Sequence, residues 1–171
     1  MKRLRDYFSA FFRENVYLFI REYKDLGIKI STNCDIIRNY IDPLFPYLLT
    51  MGNDVTITNA TILTHDVSIH KYLGYTKLGE VVIGNNVFIG FDTIFLPNTH
   101  IGNNVIVGAG CVVSKDISDN SVVVGNPMII VFTYTDYMKK YELFILLMLQ
   151  YYHLQEKNCN GMTQQVLFQL L

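Results

Sequence analysis

Residues 81–117 read VVIGNNVFIGFDTIFLPNTHIGNNVIVGAGCVVSKDI. The pentapeptide IGNNV stands at Ile83–Val87 and again at Ile101–Val105, and Gly90 and Gly108 repeat at the same eighteen-residue spacing. A finer step of six lies inside it, since Ile83, Ile89, Phe95, Ile101, Val107 and Val113 are all large and apolar. Four residues after each comes Val87, Thr93, Thr99, Val105, Cys111 and Ile117, mostly small or β-branched. Upstream, Met51, Ile57 and Leu63 keep the step, with Val55 and Thr61 in the small slot and Ile30 and Cys34 as a weaker echo.

A six-residue step fits neither the helical period nor a meander of freely spaced hairpins. One large inward residue and one small or branched one per step suits a short strand followed by a turn. Gly-Asn-Asn and Gly-Asn-Asp are turn chemistry, tolerant of positive φ. Three such units make a triangular coil. Stacked coils pair their strands in parallel, about 4.8 Å apart, and each coil buries its inward residues on those above and below. The expected fold is therefore an all-β solenoid.

The composition agrees with one such domain. The chain has 171 residues, half of them apolar, with 17% charged and a net charge of -1. That apolar content excludes a disordered chain. The charged share is below the roughly 25% of an average globular protein, so some surface is expected to be buried against other chains. The charge balance gives no electrostatic case for nucleic acid. Cys34, Cys111 and Cys159 are an odd set without a CxxC pair, so neither a disulfide framework nor a zinc ribbon follows. The N-terminal stretch scatters charges throughout and has no apolar core of signal-peptide length. The longest apolar run, Leu143–Leu149, is far short of the roughly 20 residues that span a bilayer. A cytoplasmic protein is expected, with membrane contact at most peripheral, through Lys2, Arg3 and Arg5.

The repeat breaks once. Leu63 and Ile83 are twenty residues apart, and the insert THDVSIHKYLGYTKLGE at 64–80 carries two of the four histidines. Insertions in solenoids fall at corners and often lie on the binding face. His65 directly follows the apolar strand ILT, so the coil anchors it while the rest of the insert reaches outward as a lid. A group on a rigid base suits catalysis. Imidazole titrates near neutral pH, as a general base must.

The stretch from VVIGNNVFIG through GAGCVVSKDISDNSVVVGNP resembles the hexapeptide-repeat acyltransferases, closest to the maltose, galactoside and capsular-sugar O-acetyltransferases. The resemblance covers about Gly27 to Ile130 and is most specific from Thr64 to Pro127. It implies a left-handed parallel β-helix, a homotrimer, and acetyl-CoA as acyl donor bound between neighbouring subunits. It implies an acetyl transfer to a sugar hydroxyl, with a polysaccharide or capsule precursor as the acceptor and N-acetylation of an amino sugar close behind. The THD at Thr64–Asp66 matches the family's general base, which falls on His65. Phe91 matches the position whose backbone amide faces the thioester, Ala109 a corner that touches coenzyme A, and Ser114 and Lys115 the pair that meets its nucleotide end. Asp42, in IDPLFPYLL, falls near the acceptor pocket. Asp66 either orients His65 or starts the turn of the loop. Three departures stand out: GNPMII puts Ile129 where relatives carry a basic residue, DIS replaces DIP at Asp116–Ser118, and Cys111 takes the place of a serine. The first predicts weaker affinity for the donor.

The ends lie outside the repeat. Residues 3–25 read as a helix ended by Gly27, and Asp136–Leu154 as a helix apolar nearly all round, which must be buried by something such as another subunit. The expected organisation is a helical cap at 1–26, the β-helix at 27–130 with its lid at 64–80, and a helix and tail at 131–171. Two readings compete with acetyl transfer. One is a metal-dependent hydratase resembling the γ-class carbonic anhydrases, with His65, His70 and His100 as ligands. The other is a non-catalytic trimeric scaffold. The leading reading assigns no metal.

Overall fold

A computed structural model describes residues 21–158. The readings made on residues 3–20 and on the tail beyond 158, Cys159 included, lie outside it. Two compact units divide at Tyr134 and Thr135. The first is a solenoid of short parallel strands on three faces. The first face stacks Lys29–Ile30, Leu49–Met51, Val81–Ile83 and Thr99–Ile101. The second stacks Asp35–Ile37, Val55–Thr58, Val87–Ile89, Val105–Val107 and Ser121–Val124. The third stacks Tyr40–Ile41, Thr61–Ile62, Ile94–Phe95 and Val112–Val113. Residues 21–25 are helical and precede the first coil. Tyr23 packs on the core there.

Strand pairing follows the eighteen-residue repeat, with Val87 opposite Val105, Ile89 opposite Val107 and Ile83 opposite Ile101. The inward residues Ile83, Val87, Ile89, Phe95, Val105, Val107 and Val113 are all buried in one continuous core. Upstream the step of six fails by one. Ile57 pairs with Ile89 and Ile62 pairs with Phe95, so the corner through Asn59 is a residue shorter than the one through Asp92. Ile62 and Ala60 therefore fill the inward slots expected for Leu63 and Thr61, which are only partly buried. The first coil follows the same shortened step, with Ile36 opposite Ile57 and Ile41 opposite Ile62.

The Gly-Asn-Asn corners carry a division of labour. Positive φ falls on the second polar residue, at Asp54, Asn86 and Asn104, rather than on the glycine, and likewise on Asn120 in the glycine-free corner Ser118-Asp119-Asn120. The first Asn points along the stack. Asn53 N–H donates to the Asn85 side-chain oxygen at 2.8 Å, Asn85 N–H to Asn103 at 2.9 Å, and Asn103 N–H to Asp119 at 2.7 Å. These bonds satisfy amides that the turn leaves without a strand partner. Glycine is needed for close approach. A Cβ on Gly102 would stand 2.2 Å from Asp119 Oδ1 and 2.6 Å from its amide nitrogen.

The solenoid closes with a strand that the repeat did not announce. Ile129–Thr133 runs antiparallel to Ser121–Val124 and ends the second face. Its β-branched and aromatic composition fits an extended edge, but the six-residue template has no place for a reversal. The second unit holds helix α1 (Tyr134–Asn158), longer at both ends than the expected Asp136–Leu154. Its Leu143, Phe144, Leu146 and Leu147 are exposed in the single chain. No described helix is long and apolar enough to cross a membrane.

Candidate active site

His65 leaves the third face at the corner that leads back to the first. His65–Asp66 pairs antiparallel with Lys77–Leu78, so the insert is a hairpin rather than an open loop. Gly79 N–H closes its base on the Thr64 carbonyl at 3.0 Å. Residues His70–Leu73 form one helical turn that ends on Gly74 in the left-handed region, φ 74°. Tyr72 and Tyr75 project into solvent from this turn.

Asp42 sits one coil below. The register that sets Ile41 opposite Ile62 brings it beneath the start of the hairpin. Its Oδ2 is the partner of His65 Nδ1. Oδ2 also lies 2.7 Å from the Thr64 hydroxyl and accepts the Thr64 N–H at 3.2 Å. Oδ1 accepts the Leu44 N–H at 3.0 Å. The carboxylate is 1% exposed and the imidazole 20%. Burial pushes the Asp42 carboxyl up, but the hydrogen bonds from His65, Thr64 and Leu44 outweigh it and hold the group below the usual carboxylate range. With Nδ1 donating to a buried carboxylate, Nε2 is left as the acceptor nitrogen of the ring. Phe45 packs edgewise on the imidazole, centroids 5.5 Å apart at 64°.

Asp66 does not orient His65. It accepts from Lys77 Nζ at 2.7 Å across the hairpin and from the Ser68 N–H at 2.7 Å. The Lys77 ammonium, with Ser68, holds its carboxyl well below the usual range. The residue starts the turn of the insert, the second of the two parts the sequence allowed. Asp42, expected near the acceptor pocket, is buried against the His65 imidazole.

The remaining candidates divide between two edges. Ser114 and Lys115 follow Val112–Val113 on the same edge as Asp42 and His65, and both are exposed. Phe91 and Ala109 lie exposed at the corner between the second and third faces. Their coils touch there, since the Gly110 N–H donates to the Phe91 carbonyl at 2.8 Å. One copy of the chain does not bring the two groups to a single edge.

The three histidines weighed as metal ligands are separately engaged. His65 is held by Asp42, and His70 Nδ1 lies 3.2 Å from the Thr76 hydroxyl. His100 Nδ1 lies 3.2 Å from Asp116 and Nε2 3.3 Å from Glu80. No group of three His, Cys, Asp or Glu among the described residues is placed to hold a metal ion. Cys111 is buried and burial pushes its thiol up, as a small core residue should behave.

Sequence reasoning missed three partners: Phe45, the Thr64 hydroxyl, and the Glu80–His100–Asp116 row. The first two depend on the register between the first and second coils, which the six-residue pattern does not give.

Residues 80–115 match the family described as bacterial transferase hexapeptide (six repeats). That stretch of the chain resembles hexapeptide-repeat transferases. The coils of the chain are 42% identical over 93 residues to YvoF of Bacillus subtilis (strain 168), covering 54% of this chain and 52% of that protein. They are 32% identical over 135 residues to the galactoside O-acetyltransferase of Escherichia coli (strain K12), covering 75% of this chain and 66% of that one. Among solved structures, galactoside acetyltransferase in complex with coenzyme A superposes with a TM-score of 0.52 at 26% identity, covering 65% of this chain and 67% of that chain. The chain thus spans about half the length of YvoF and just under two thirds of the galactoside enzyme.

Proposed function

We propose that the protein is an acetyl-CoA-dependent O-acetyltransferase that acts on a sugar hydroxyl, with a polysaccharide or capsule precursor as its acceptor. The pairing of His65 with the buried Asp42 carboxylate at the foot of an inserted hairpin carries this reading. The likeness to a galactoside acetyltransferase that holds coenzyme A supports the donor.

His65 Nε2 takes the proton from the acceptor hydroxyl as its oxygen attacks the thioester carbonyl. Asp42 keeps the ring in the tautomer that leaves Nε2 free and stabilises the imidazolium that forms. The Phe91 N–H donates to the developing oxyanion, and a backbone donor makes the aromatic side chain there irrelevant. The tetrahedral intermediate collapses with loss of the coenzyme A thiolate. That thiolate recovers the proton from the imidazolium, and no acyl-enzyme forms. Ala109 gives the donor's pantetheine arm a small corner to pass. Ser114 and Lys115 meet its phosphates, Lys115 as a point charge.

Two edges of one copy hold parts of one site, which supports a homotrimer of left-handed coils in which each groove joins neighbouring subunits. The exposed apolar side chains of α1 leave surface for such contacts. In this assembly residues 27–130 form the catalytic β-helix.

The test is a transfer assay with acetyl-CoA against a panel of sugars, with His65→Ala beside the unmodified protein. Transfer is expected to fall by about 10²–10⁴ in the variant. Undiminished transfer would remove His65 as the base. Absence of transfer to every sugar would favour the scaffold reading.

A further inference from the structure

We propose that Phe45 is a positioning residue for His65, fixing the plane of an imidazole that Asp42 fixes only at one atom. The inference rests on the reading of His65 as the base. A single hydrogen bond from Nδ1 to Asp42 Oδ2 pins one corner of the ring. It leaves the ring able to tilt about that contact, and Nε2, at the opposite side, travels furthest in any tilt. Catalysis depends on where Nε2 stands.

Phe45 supplies the second constraint. Its ring meets the imidazole edgewise, with centroids 5.5 Å apart and planes at 64°, within the range of favourable aromatic contacts. The phenyl ring is itself restrained. Tyr47 also packs edgewise on it, centroids 6.4 Å apart at 78°. The backbone around Phe45 is tied to the same carboxylate that holds the histidine, since Leu44 N–H donates to Asp42 Oδ1 at 3.0 Å. The Phe45 carbonyl lies 3.1 Å from the Thr64 hydroxyl, next to His65 in the chain. One buried carboxylate thus sets the height of both the imidazole and the corner that carries the phenyl ring. The two prolines of IDPLFPYLL hold that corner, with Pro46 opening a 3-10 turn at Pro46–Leu48. A misplacement of about 1 Å in a reacting group costs about 10²-fold in rate, which is the scale at which a loosened ring would be felt.

The test pairs Phe45→Leu, which keeps apolar bulk without an aromatic ring, with Phe45→Tyr, which keeps the ring. Nitrogen-15 spectra of the His65 side chain read the tautomer without any need for turnover. The unmodified protein and Phe45→Tyr are expected to give the wide Nδ1–Nε2 separation of a single tautomer protonated at Nδ1. Phe45→Leu is expected to narrow it, because tilting of the unsupported ring weakens the Nδ1 hydrogen bond to Asp42. In the transfer assay, kcat for Phe45→Leu is expected to fall by about 10- to 10²-fold with the KM for acetyl-CoA unchanged, and Phe45→Tyr to restore it. An unchanged separation in Phe45→Leu, or a Tyr variant as impaired as the Leu variant, would overturn the proposal. His65→Ala decides the base reading separately, because undiminished transfer in that variant removes the base whatever the Phe45 spectra give.

Discussion

Asp42 stands 23 residues before His65 in the chain, yet its Oδ2 is the partner of the His65 Nδ1. Parallel stacking makes this possible: residues about one coil apart in sequence lie one strand spacing apart in space. A carboxylate and an imidazole far apart on a linear map thus become neighbours.

Asp42→Asn keeps the shape and removes the charge. The amide no longer accepts from all the donors aimed at it, and the preference for an Nδ1-protonated ring weakens. The expected outcome is a fall in kcat of about 10²–10⁴, measured beside a melting curve to show that the variant is folded. Asp66→Asn, which touches Lys77 rather than His65, is expected to change kcat far less.

Ile62→Ala and Leu63→Ala separate the observed register from the one a strict six-residue step implies. Ile62 is fully buried opposite Phe95, and Leu63 is half-buried. Truncating Ile62 is expected to cost about 2–5 kcal/mol, and truncating Leu63 clearly less. Denaturant unfolding of both variants reads the order, and the reverse order would contradict the shortened corner.

Gly102→Ala places a methyl group against the Asp119 side chain and backbone. Overpacking of this kind costs about 1–3 kcal/mol, or a few degrees in Tm for a chain of this size. Asp119→Ala alone frees the side-chain oxygen but leaves the backbone in place, so the double variant is expected to recover only part of the loss.

His100 titrates between two carboxylates. Hydrogen bonds with Glu80 and then Asp116 raise its pKa above the ordinary imidazole value. A group raised on folding stabilises fully below its unfolded value, about 6.5. That contribution fades as pH rises through the folded value and is absent above it. The Tm difference between the unmodified protein and His100→Gln is therefore expected to be larger below about pH 6.5 and to shrink as pH rises above the folded pKa. A side-chain NMR titration with a midpoint at or below about 6.5 would contradict the shift.

What the sequence determined is the solenoid itself. Ile83, Ile89, Phe95, Ile101, Val107 and Val113 are inward because a six-residue strand and turn permits no other use for them. The IGNNV repeats set the stacking from Ile83 to Val113, and the interruption at Thr64 marked the edge where His65 emerges. Tertiary structure alone decided the partners. Shortening the corner at Asn59 by one residue moved Ile62 inward in place of Leu63, and the equal step of the first coil keeps Ile41 opposite Ile62, which sets Asp42 against Thr64 and the imidazole. The hairpin gives Asp66 to Lys77, and the corner after Asp42 sets Phe45 on the His65 ring. A periodic pattern fixes which side chains point in, because burial repeats with the backbone. Which polar groups meet across coils depends on the summed lengths of the corners between them, and one residue more or less changes every pairing.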